Sequence, residues 1–210
     1  MASELEVRPS FFGFSGVDLM HKTESADNAL VRAAKDGDRS AFGMLYDRYA
    51  RMVHGILLTK VSYAEAEDLV QDVFLQALSR LNSLRDVSSF GPWLAAIARN
   101  RAFDFLRQSR PMSEFEEAIH GERKGATRAS ESAHAEAGQI LEVIRSLPQS
   151  YREPLILRFV EGMTGPEIAA RTGLTEGSVR VNLHRGMNQL RESLGRRSII
   201  RHPAESDDKS

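Results

Sequence analysis

Apolar residues recur at spacings of three and four along most of the chain, which is the pattern of one face of an α-helix. In the first half the pattern begins at Asp27 and predicts two helices. Their inward positions are Leu30, Val31, Ala34, Phe42, Leu45, Tyr46, Tyr49, Val53, Ile56 and Leu57. The segment Asp36-Gly37-Asp38 predicts the turn between these helices, and Ser40 is a candidate N-cap for the second.

Two more helices follow in the first half. Ser62 and Glu65 have the spacing of a capping box, which predicts a helix from there to about Leu81. Its expected core positions are Leu69, Val70, Val73, Phe74, Ala77, Leu78 and Leu81. The polar segment 82–89 predicts a loop. Residues 90–108 then predict a helix that tolerates Pro92 in its first turn.

In the second half, the apolar spacing predicts a helix from about Gln139 that Pro148 stops, a helix over 151–160, and two short helices ending near Leu194. The alternation typical of strands is nearly absent, so the class is all-α. The organisation we expect is two small helical domains joined by a flexible linker. The boundaries are 1–25 for a flexible N-terminal extension, 26–111 and 139–195 for the domains, 112–138 for an acidic linker and 196–210 for a flexible tail.

The segment from Thr164 to Arg185 carries a motif with a physical mechanism. Thr164 and Glu167 form a second capping box, Gly173 supplies a left-handed turn residue, and Thr175 caps the next helix. That sequence predicts a helix-turn-helix, whose second helix enters the DNA major groove. Its outward side chains are Glu176, Ser178, Arg180, Val181, His184 and Arg185. Arginine can grip guanine in a bidentate fork, and an apolar residue such as Val181 can meet a thymine methyl group.

The net charge of −1 hides an uneven distribution along the chain. Residues 92–111 hold four arginines and one acid, and residues 176–201 hold six arginines and two acids. Between these basic segments, residues 112–139 hold three basic residues and six acids. A phosphate backbone responds to this local field and not to the mean charge, so the balance is compatible with nucleic-acid binding.

Composition excludes several classes of function. The chain has no cysteine, so disulfides, thiolate zinc sites and cysteine nucleophiles are excluded. Its six histidines lack metal-ligand spacing, and no catalytic triad, carboxylate pair or glycine-rich phosphate loop is present. We therefore expect no catalytic residue, no metal and no cofactor. Without a membrane-length apolar run or a secretory signal, we also expect a cytoplasmic protein with no membrane insertion of its own.

Two sets of motifs resemble the extracytoplasmic-function (ECF) group of the sigma-70 family of RNA polymerase sigma factors. The first domain resembles the sigma-two domain, in residues 67–74 (EDLVQDVF) and in the segment from Trp93 to Arg107. The second resembles the sigma-four domain, from Leu147-Pro148 through Glu167-Ile168-Ala169 to 177–180 (GSVR). The likeness covers about residues 27–110 and 139–195. Departures are Pro166, Asn182 and Gly186, which bear on the exact DNA contacts.

The resemblance implies an alternative sigma factor that binds core RNA polymerase, directs sequence-specific promoter recognition and transcription initiation, and answers to an anti-sigma factor. Asp68, Gln71 and Asp72 would dock on the clamp helices of the β′ subunit, and the second domain would meet the β flap. The outward residues of the helix-turn-helix would read the −35 element of promoter DNA. The residues that would capture melted bases of the −10 element are Asn82, Ser83, Arg85, Arg99, Asn100, Phe103, Arg107 and Arg110.

Two other functions remain open on the sequence. A helix-turn-helix regulator that works without polymerase would carry a ligand pocket or dimer seam within 27–110. An adaptor or anti-sigma-type protein would bind polymerase or a partner but not promoters, so reversing the charge of Arg180 and Arg185 would change nothing.

Overall fold

Regular structure in this protein is helical throughout the part of the chain that can be described. The computed structural model describes the backbone of residues 16–109 and 138–201 and the side chains of residues 26–108 and 138–195. The helices are α1 (Gly16–Lys35), α2 (Arg39–Leu58), α3 (Tyr63–Arg80), α4 (Phe90–Ser109), α5 (138–146), α6 (Gln149–Phe159), α7 (Gly165–Thr172) and α8 (Glu176–Arg201). The all-α prediction is confirmed. The linker assigned to 112–138 lies outside the described residues except for its last position.

Two helices run further than the apolar pattern predicted. α1 begins at Gly16, inside the segment expected to be a flexible extension, and α8 continues to Arg201, inside the expected tail. The backbone is thus helical over 16–25 and 196–201, where the apolar pattern predicted no helix. Once a packed turn has nucleated a helix, adding residues is cheap, and both segments lack proline. An apolar pattern marks only the packed part of such a helix.

The ends of α2 and α3 refine the predicted caps. Asp38, and not Ser40, caps α2, because its Oδ1 accepts hydrogen bonds from the backbone N–H groups of Ser40 at 2.8 Å and Ala41 at 3.1 Å. The capping box of Ser62 and Glu65 at the start of α3 is confirmed.

The predicted core face of α3 and the loop after it each need one correction. Leu78 is 46% exposed, so its assignment to the core is wrong: it lies at the edge of an apolar stripe that Phe74, Ala77 and Leu81 already fill. The segment 82–89 is not an open loop, because it contains single turns of 3-10 helix at Leu81–Ser83 and Val87–Ser89.

The first domain packs α1, α3 and α4 around α2. Leu45, Met52 and Ile56 of α2 are fully buried together with Phe90 and Leu94 of α4. Aromatic rings extend this core toward α3, where the rings of Phe74 and Tyr46 are 4.5 Å apart. The buried helix α2 therefore fixes where the exposed faces of α3 and α4 point.

In the second domain, α6 crosses α8 at close range. A Cβ atom placed on Gly186 would lie 2.9 Å from Tyr151 Cβ and 3.0 Å from Leu155 Cδ1. Such distances are shorter than normal carbon contacts, so only glycine allows the two helices to approach this closely. This explains one departure from the family pattern, at a position that orients the outward face of α8.

The two domains also pack against each other, which the sequence did not predict. Their buried apolar residues form one continuous cluster. A Cβ atom on Gly55 of α2 would lie 2.7 Å from Leu157 Cδ2, and one on Gly91 of α4 would lie 2.9 Å from the carbonyl oxygen of Arg171. Glycines of the first domain thus leave room for α6 and α7 of the second.

We predict that Gly186→Ala destabilises the protein and that Gly195→Ala, in the same helix, does not. The new methyl group at 186 has no space and should lower the free energy of unfolding by about 1–3 kcal/mol. At Gly195 a Cβ atom meets nothing within 4 Å, so the gain in helix propensity should dominate, by up to about 1 kcal/mol. Urea denaturation of the two variants measures both changes. Equal effects at the two positions would contradict the close crossing of α6 and α8.

Candidate functional site

The helix-turn-helix is built by two capped helices and one left-handed residue. Thr164 Oγ1 accepts from the backbone N–H of Glu167 at 3.4 Å, and Glu167 Oε2 accepts from the N–H of Thr164 at 2.8 Å. The latter bond is the main reason that the pKa of Glu167 is lowered, so its carboxylate stays ionised at the start of α7. Gly173 then turns the chain with a φ of +79°, and Thr175 Oγ1 accepts from the N–H of Ser178 at 3.1 Å to begin α8. The predicted motif is confirmed.

The outward face of α8 is open to solvent. Val179 and Leu190 of this helix are buried against α6 and α7, which turns the opposite side outward. All six residues predicted to read DNA from this side are exposed: Glu176, Ser178, Arg180, Val181, His184 and Arg185. Among the described side chains, neither arginine of this set forms an ion pair. Both guanidinium groups are therefore available to an external acceptor.

One further arginine borders this face. Arg158, at the end of α6, lines a groove together with Thr164, Val179 and Arg180, and it donates to the carbonyl oxygen of Met163 at 3.1 Å. It is exposed and holds the loop that precedes α7. Sequence reasoning missed it because it lies six residues before the motif begins. Only the folded structure brings Arg158 close to α8, so the spacing of basic residues in the sequence does not indicate it.

The acidic residues of α3 lie on one exposed face. Asp68, Gln71 and Asp72 are all open to solvent, and the Asp72 carboxylate accepts from Arg101 Nη2 at 2.7 Å. One turn further along the same side, Leu75 is 66% exposed, and Leu78 follows it. Two neighbouring exposed leucines form a small apolar patch on this face, and exposed apolar patches rimmed by polar residues can mark protein-binding surfaces. Leu75 and Leu78 follow Gln71 at steps of four and three residues, which places all three on one face of α3. This spacing in the sequence is the signal that could have predicted the apolar part of the surface.

The residues predicted to meet the −10 element lie mostly on one open surface. Asn82, Ser83, Arg85, Asn100, Phe103 and Arg107 are exposed, whereas Arg110 lies outside the described residues. The loop that carries the first three is fixed from below, because Leu84 is buried and its carbonyl oxygen accepts from Lys35 Nζ at 2.7 Å. Hydrogen bonds from Ser88 also lower the pKa of Asp86 in this loop.

An aromatic ring and a cation stand together on this surface. Phe103 is half exposed, and the Nζ atom of Lys60 lies 4.6 Å from the centre of its ring. Burial is the larger cause that lowers the pKa of Lys60, and the charge of Arg152 adds to it. A ring with a cation beside it suits the stacking of an unpaired base and the attraction of its phosphate. Lys60 was missed because it lies on the loop after α2, far from α4 in sequence.

Arg99 is the exception among the predicted −10 residues. Its guanidinium points to the second domain, where Nε and Nη2 donate to the two carboxylate oxygens of Glu153 at 2.9 and 2.6 Å. These bonds raise the pKa of Arg99, against the opposing effect of burial. The sequence placed Arg99 on one face with Phe103 and Arg107, but in this conformation the structure separates it from them.

Metal-binding clusters and membrane-spanning helices are both missing from the part of the chain that the structure describes. No group of three or more His, Asp or Glu side chains among them is arranged to hold a metal ion. No helix in the described ranges has the length and apolar content needed to cross a membrane. The candidate site therefore consists of three surfaces: the α3 face, the α4 surface with its loop, and the outward face of α8.

In comparisons with known proteins, two family models match different parts of the chain. The family model Sigma-70 region 2 matches residues 45–111, and the model Sigma-70, region 4 matches residues 137–190. The chain is 33% identical over 162 residues to the RNA polymerase sigma factor CarQ of Myxococcus xanthus, covering 77% of this chain and 93% of that one. It is 32% identical over 175 residues to the ECF RNA polymerase sigma-E factor of Escherichia coli K12, covering 78% and 92%.

A solved structure of CnrH in complex with the cytosolic domain of CnrY is similar in fold. Its TM-score is 0.56 at 26% sequence identity, and the match covers 81% of this chain and 97% of that one. The sequence matches span both domains in the order that the motifs predicted. On the strength of these relatives, the chain belongs to the ECF group of sigma-70 family sigma factors, the subunits that direct RNA polymerase to promoters.

Proposed function

We propose that this sigma factor divides its task among the three surfaces: α3 docks on core polymerase, α8 reads the −35 element, and α4 with its loop captures melted −10 bases. The observation that carries the proposal is that an acidic and apolar face and two basic faces point outward from one folded core. Each surface has the chemistry of a different partner. The chemical step of transcription is left to the polymerase.

The docking assignment rests on the composition of the α3 face. Asp68 and Asp72 offer charge to a basic partner, and such charges mainly steer association and set specificity. The exposed Leu75 and Leu78 supply apolar area whose burial against a partner is favourable. We therefore extend the docking surface from the three polar residues to these two leucines. The clamp helices of the β′ subunit are the partner we propose for it.

The assignment of −10 capture rests on the combination of an aromatic ring, cations and amide groups. Melted bases need a surface to stack on and donors for their exposed edges. Phe103 provides the first, Asn82 and Asn100 provide amides, and Lys60 and Arg107 lie close enough to the same helix surface to meet phosphates. Arg107 shares its charge with Asp104 at 3.0 Å, but 80% of its side chain remains exposed.

The assignment of −35 reading rests on the unpaired arginines of α8. In a helix-turn-helix, the first turns of the second helix approach the base edges. Arg180 and Arg185 lie in this part of α8. Val181 lies on the same exposed side, where its side chain can contact a thymine methyl group. Asn182 is partly buried, so it contributes less to this face than its position in the sequence suggests.

We also propose that an anti-sigma factor regulates this chain and that it acts in the cytoplasm. The similar structure of CnrH contains the cytosolic domain of CnrY, so a relative of the same fold is bound by a second protein. The β flap is the second polymerase contact that we propose, on the second domain.

The docking surface predicts that Leu75→Ala and the double variant Gln71→Ala/Asp72→Ala each weaken binding to purified core polymerase. Loss of a buried leucine or of paired polar contacts at an interface costs about 1.5–3 kcal/mol, which is roughly a tenfold to hundredfold higher Kd. Fluorescence titration of the labelled chain with core polymerase measures the Kd of each variant. Arg101→Gln is the control, because it breaks the internal pair with Asp72 but keeps the acid on the surface. Undiminished binding of the α3 variants would refute the docking assignment.

The reading helix predicts that Arg180→Ala and Arg185→Ala reduce promoter affinity, whereas Arg191→Ala does not. Each lost base contact should cost about 1–3 kcal/mol, and each lost phosphate contact should lower the salt slope by about one. The probe is a set of promoter fragments that the wild-type holoenzyme selects from genomic DNA. Arg191 is exposed on the same helix but lies beyond the turns that reach the groove. If Arg191→Ala had the same effect as the other two, general basicity and not base reading would explain binding.

A further inference from the structure

A lysine on the turn after α2 lies against the α4 surface. Lys60 follows the end of α2 by two residues, and its backbone N–H donates to the carbonyl oxygen of Leu57 at 2.9 Å. Its side chain is partly buried, and the Nζ atom lies 4.6 Å from the centre of the Phe103 ring. The turn therefore holds an amine beside the ring on which we propose that melted −10 bases stack.

Two arginines fix this turn from the other side. Arg152 Nη1 donates to the carbonyl oxygen of Thr59 at 3.1 Å, and Arg145 Nη2 donates to that of Val61. The two acceptors are the residues directly before and after Lys60. The charge of Arg145 lowers the pKa of Arg152, so the two guanidinium groups are close enough to repel each other. Lys60 is thus one of three cations gathered around a single turn.

No carboxylate offsets this charge at the amine. Among the described side chains Lys60 forms no ion pair, and the acid that pairs with Arg145 is Glu142, at 2.6 Å. The Phe103 ring attracts an ammonium group, but burial and the charge of Arg152 oppose it. The pKa of Lys60 is lowered as a result, with burial as the larger cause. A lysine that is desolvated beside another cation is more often neutral, and the neutral amine is a nucleophile.

Lys60 differs chemically from the other cations near the −10 residues. Those proposed to capture −10 bases are all arginines: Arg85, Arg99, Arg107 and Arg110. A guanidinium is not deprotonated in proteins, so it does not attack an acyl group. Lys35 also has a described side chain, but its Nζ donates to the carbonyl oxygen of Leu84 at 2.7 Å. Lys60 Nζ donates to no acceptor among the described residues.

We propose that Lys60 is a modification site: small acyl phosphates acylate its amine, and the resulting amide weakens the capture of melted −10 bases. This inference rests on the proposed function, because it assigns a regulation to the −10 surface. In the reaction, the neutral Nζ attacks the carbonyl carbon of the acyl phosphate and an N–C bond forms. The C–O bond to phosphate breaks, phosphate leaves, and the nitrogen loses a proton to water. No oxidant or reductant takes part.

The surroundings of Lys60 suit both the donor and the outcome. An acyl phosphate is an anion, so the guanidinium groups of Arg145 and Arg152 attract it to the turn. The amide product has no charge, so it loses both the attraction for a DNA phosphate and the cation–π contact with Phe103. Lys60 belongs to neither the α3 face nor the outward face of α8. Acylation should therefore weaken one of the three surfaces and leave docking and −35 reading intact.

The first part of the test measures which lysines react in the full-length chain. The chain has five: Lys22, Lys35, Lys60, Lys124 and Lys209. The purified chain is incubated with acetyl phosphate, and mass spectrometry of its peptides gives the initial rate at each lysine. We expect Lys60 to react at least about three times faster than Lys35, whose nitrogen is held by a carbonyl acceptor. A rate at Lys60 equal to or below that at Lys35 would overturn the site and leave the proposed function intact.

The second part measures how the modification changes promoter binding. Treated and untreated chains are each assembled with core polymerase. The probe is a promoter fragment that the wild-type holoenzyme selects, with its −10 segment left unpaired. The ratio of the Kd after treatment to the Kd before it is compared for the wild-type chain, Lys60→Arg and Lys35→Arg. Lys60→Arg removes the amine and keeps a cation, whereas Lys35→Arg keeps Lys60. Taking the ratio within each variant removes the effect of the substitution itself.

We expect treatment to raise the Kd roughly three- to tenfold for the wild-type chain and for Lys35→Arg, and not for Lys60→Arg. Complete acylation should also make the dependence of log affinity on log salt less steep by about 0.7, the value for one phosphate contact to a single strand. Loss of one charge has this signature, and partial unfolding does not. The Kd for core polymerase alone should not change.

Equal losses in the wild-type chain and in Lys60→Arg would assign the effect to other lysines and overturn the regulatory role of Lys60. Rapid acylation of Lys60 with no change in Kd or salt dependence would overturn it as well, and would remove Lys60 from the proposed −10 surface. An untreated holoenzyme that selects no promoter fragment contradicts the proposed function itself, and the regulatory role falls with it.

Discussion

The arrangement of the two domains depends on the hydrogen bonds that Arg145 and Arg152 of the second domain donate to the carbonyl groups of Leu58 and Thr59 at the carboxyl end of α2. This helix is the most buried element of the first domain, and its last carbonyl groups face the second domain and not water. A buried carbonyl without a donor is costly, so the hydrogen bonds from Arg145 of α5 and Arg152 of α6 stabilise this end of the helix. Because α2 also sets the directions of α3 and α4, the contact that completes it links the α3 face, the α4 surface and the second domain.

Arginine has two distinct uses in this chain. Arg145, Arg152, Arg99 and Arg171 point between the domains and bind carbonyl or carboxylate oxygens of the protein itself. Arg180 and Arg185 point outward and bind no carboxylate among the described residues. The planar guanidinium suits both roles, because the same fork fits a carboxylate, a phosphate or a guanine edge.

Local features could be predicted from the sequence, and contacts between distant segments could not. Both capping boxes, the turn at Gly173 and the outward side of α8 depend on residues a few positions apart, and the structure confirms them. The pairing of Arg99 with Glu153 joins residues 54 positions apart, and neither residue type predicts its partner. The exposure of Leu75 is harder to predict, because its spacing from Phe74 and Leu78 also fits the buried apolar stripe of α3.

Transcription by purified core RNA polymerase with this chain tests the central claim most directly, since that claim is that the chain gives polymerase its promoter specificity. With a pool of genomic fragments as template, the account predicts discrete transcripts from a subset of fragments that share two sequence elements. Those transcripts should be absent with core polymerase alone. Specific binding of the chain to DNA without polymerase, together with no new transcript in its presence, would contradict the account and favour an independent helix-turn-helix regulator.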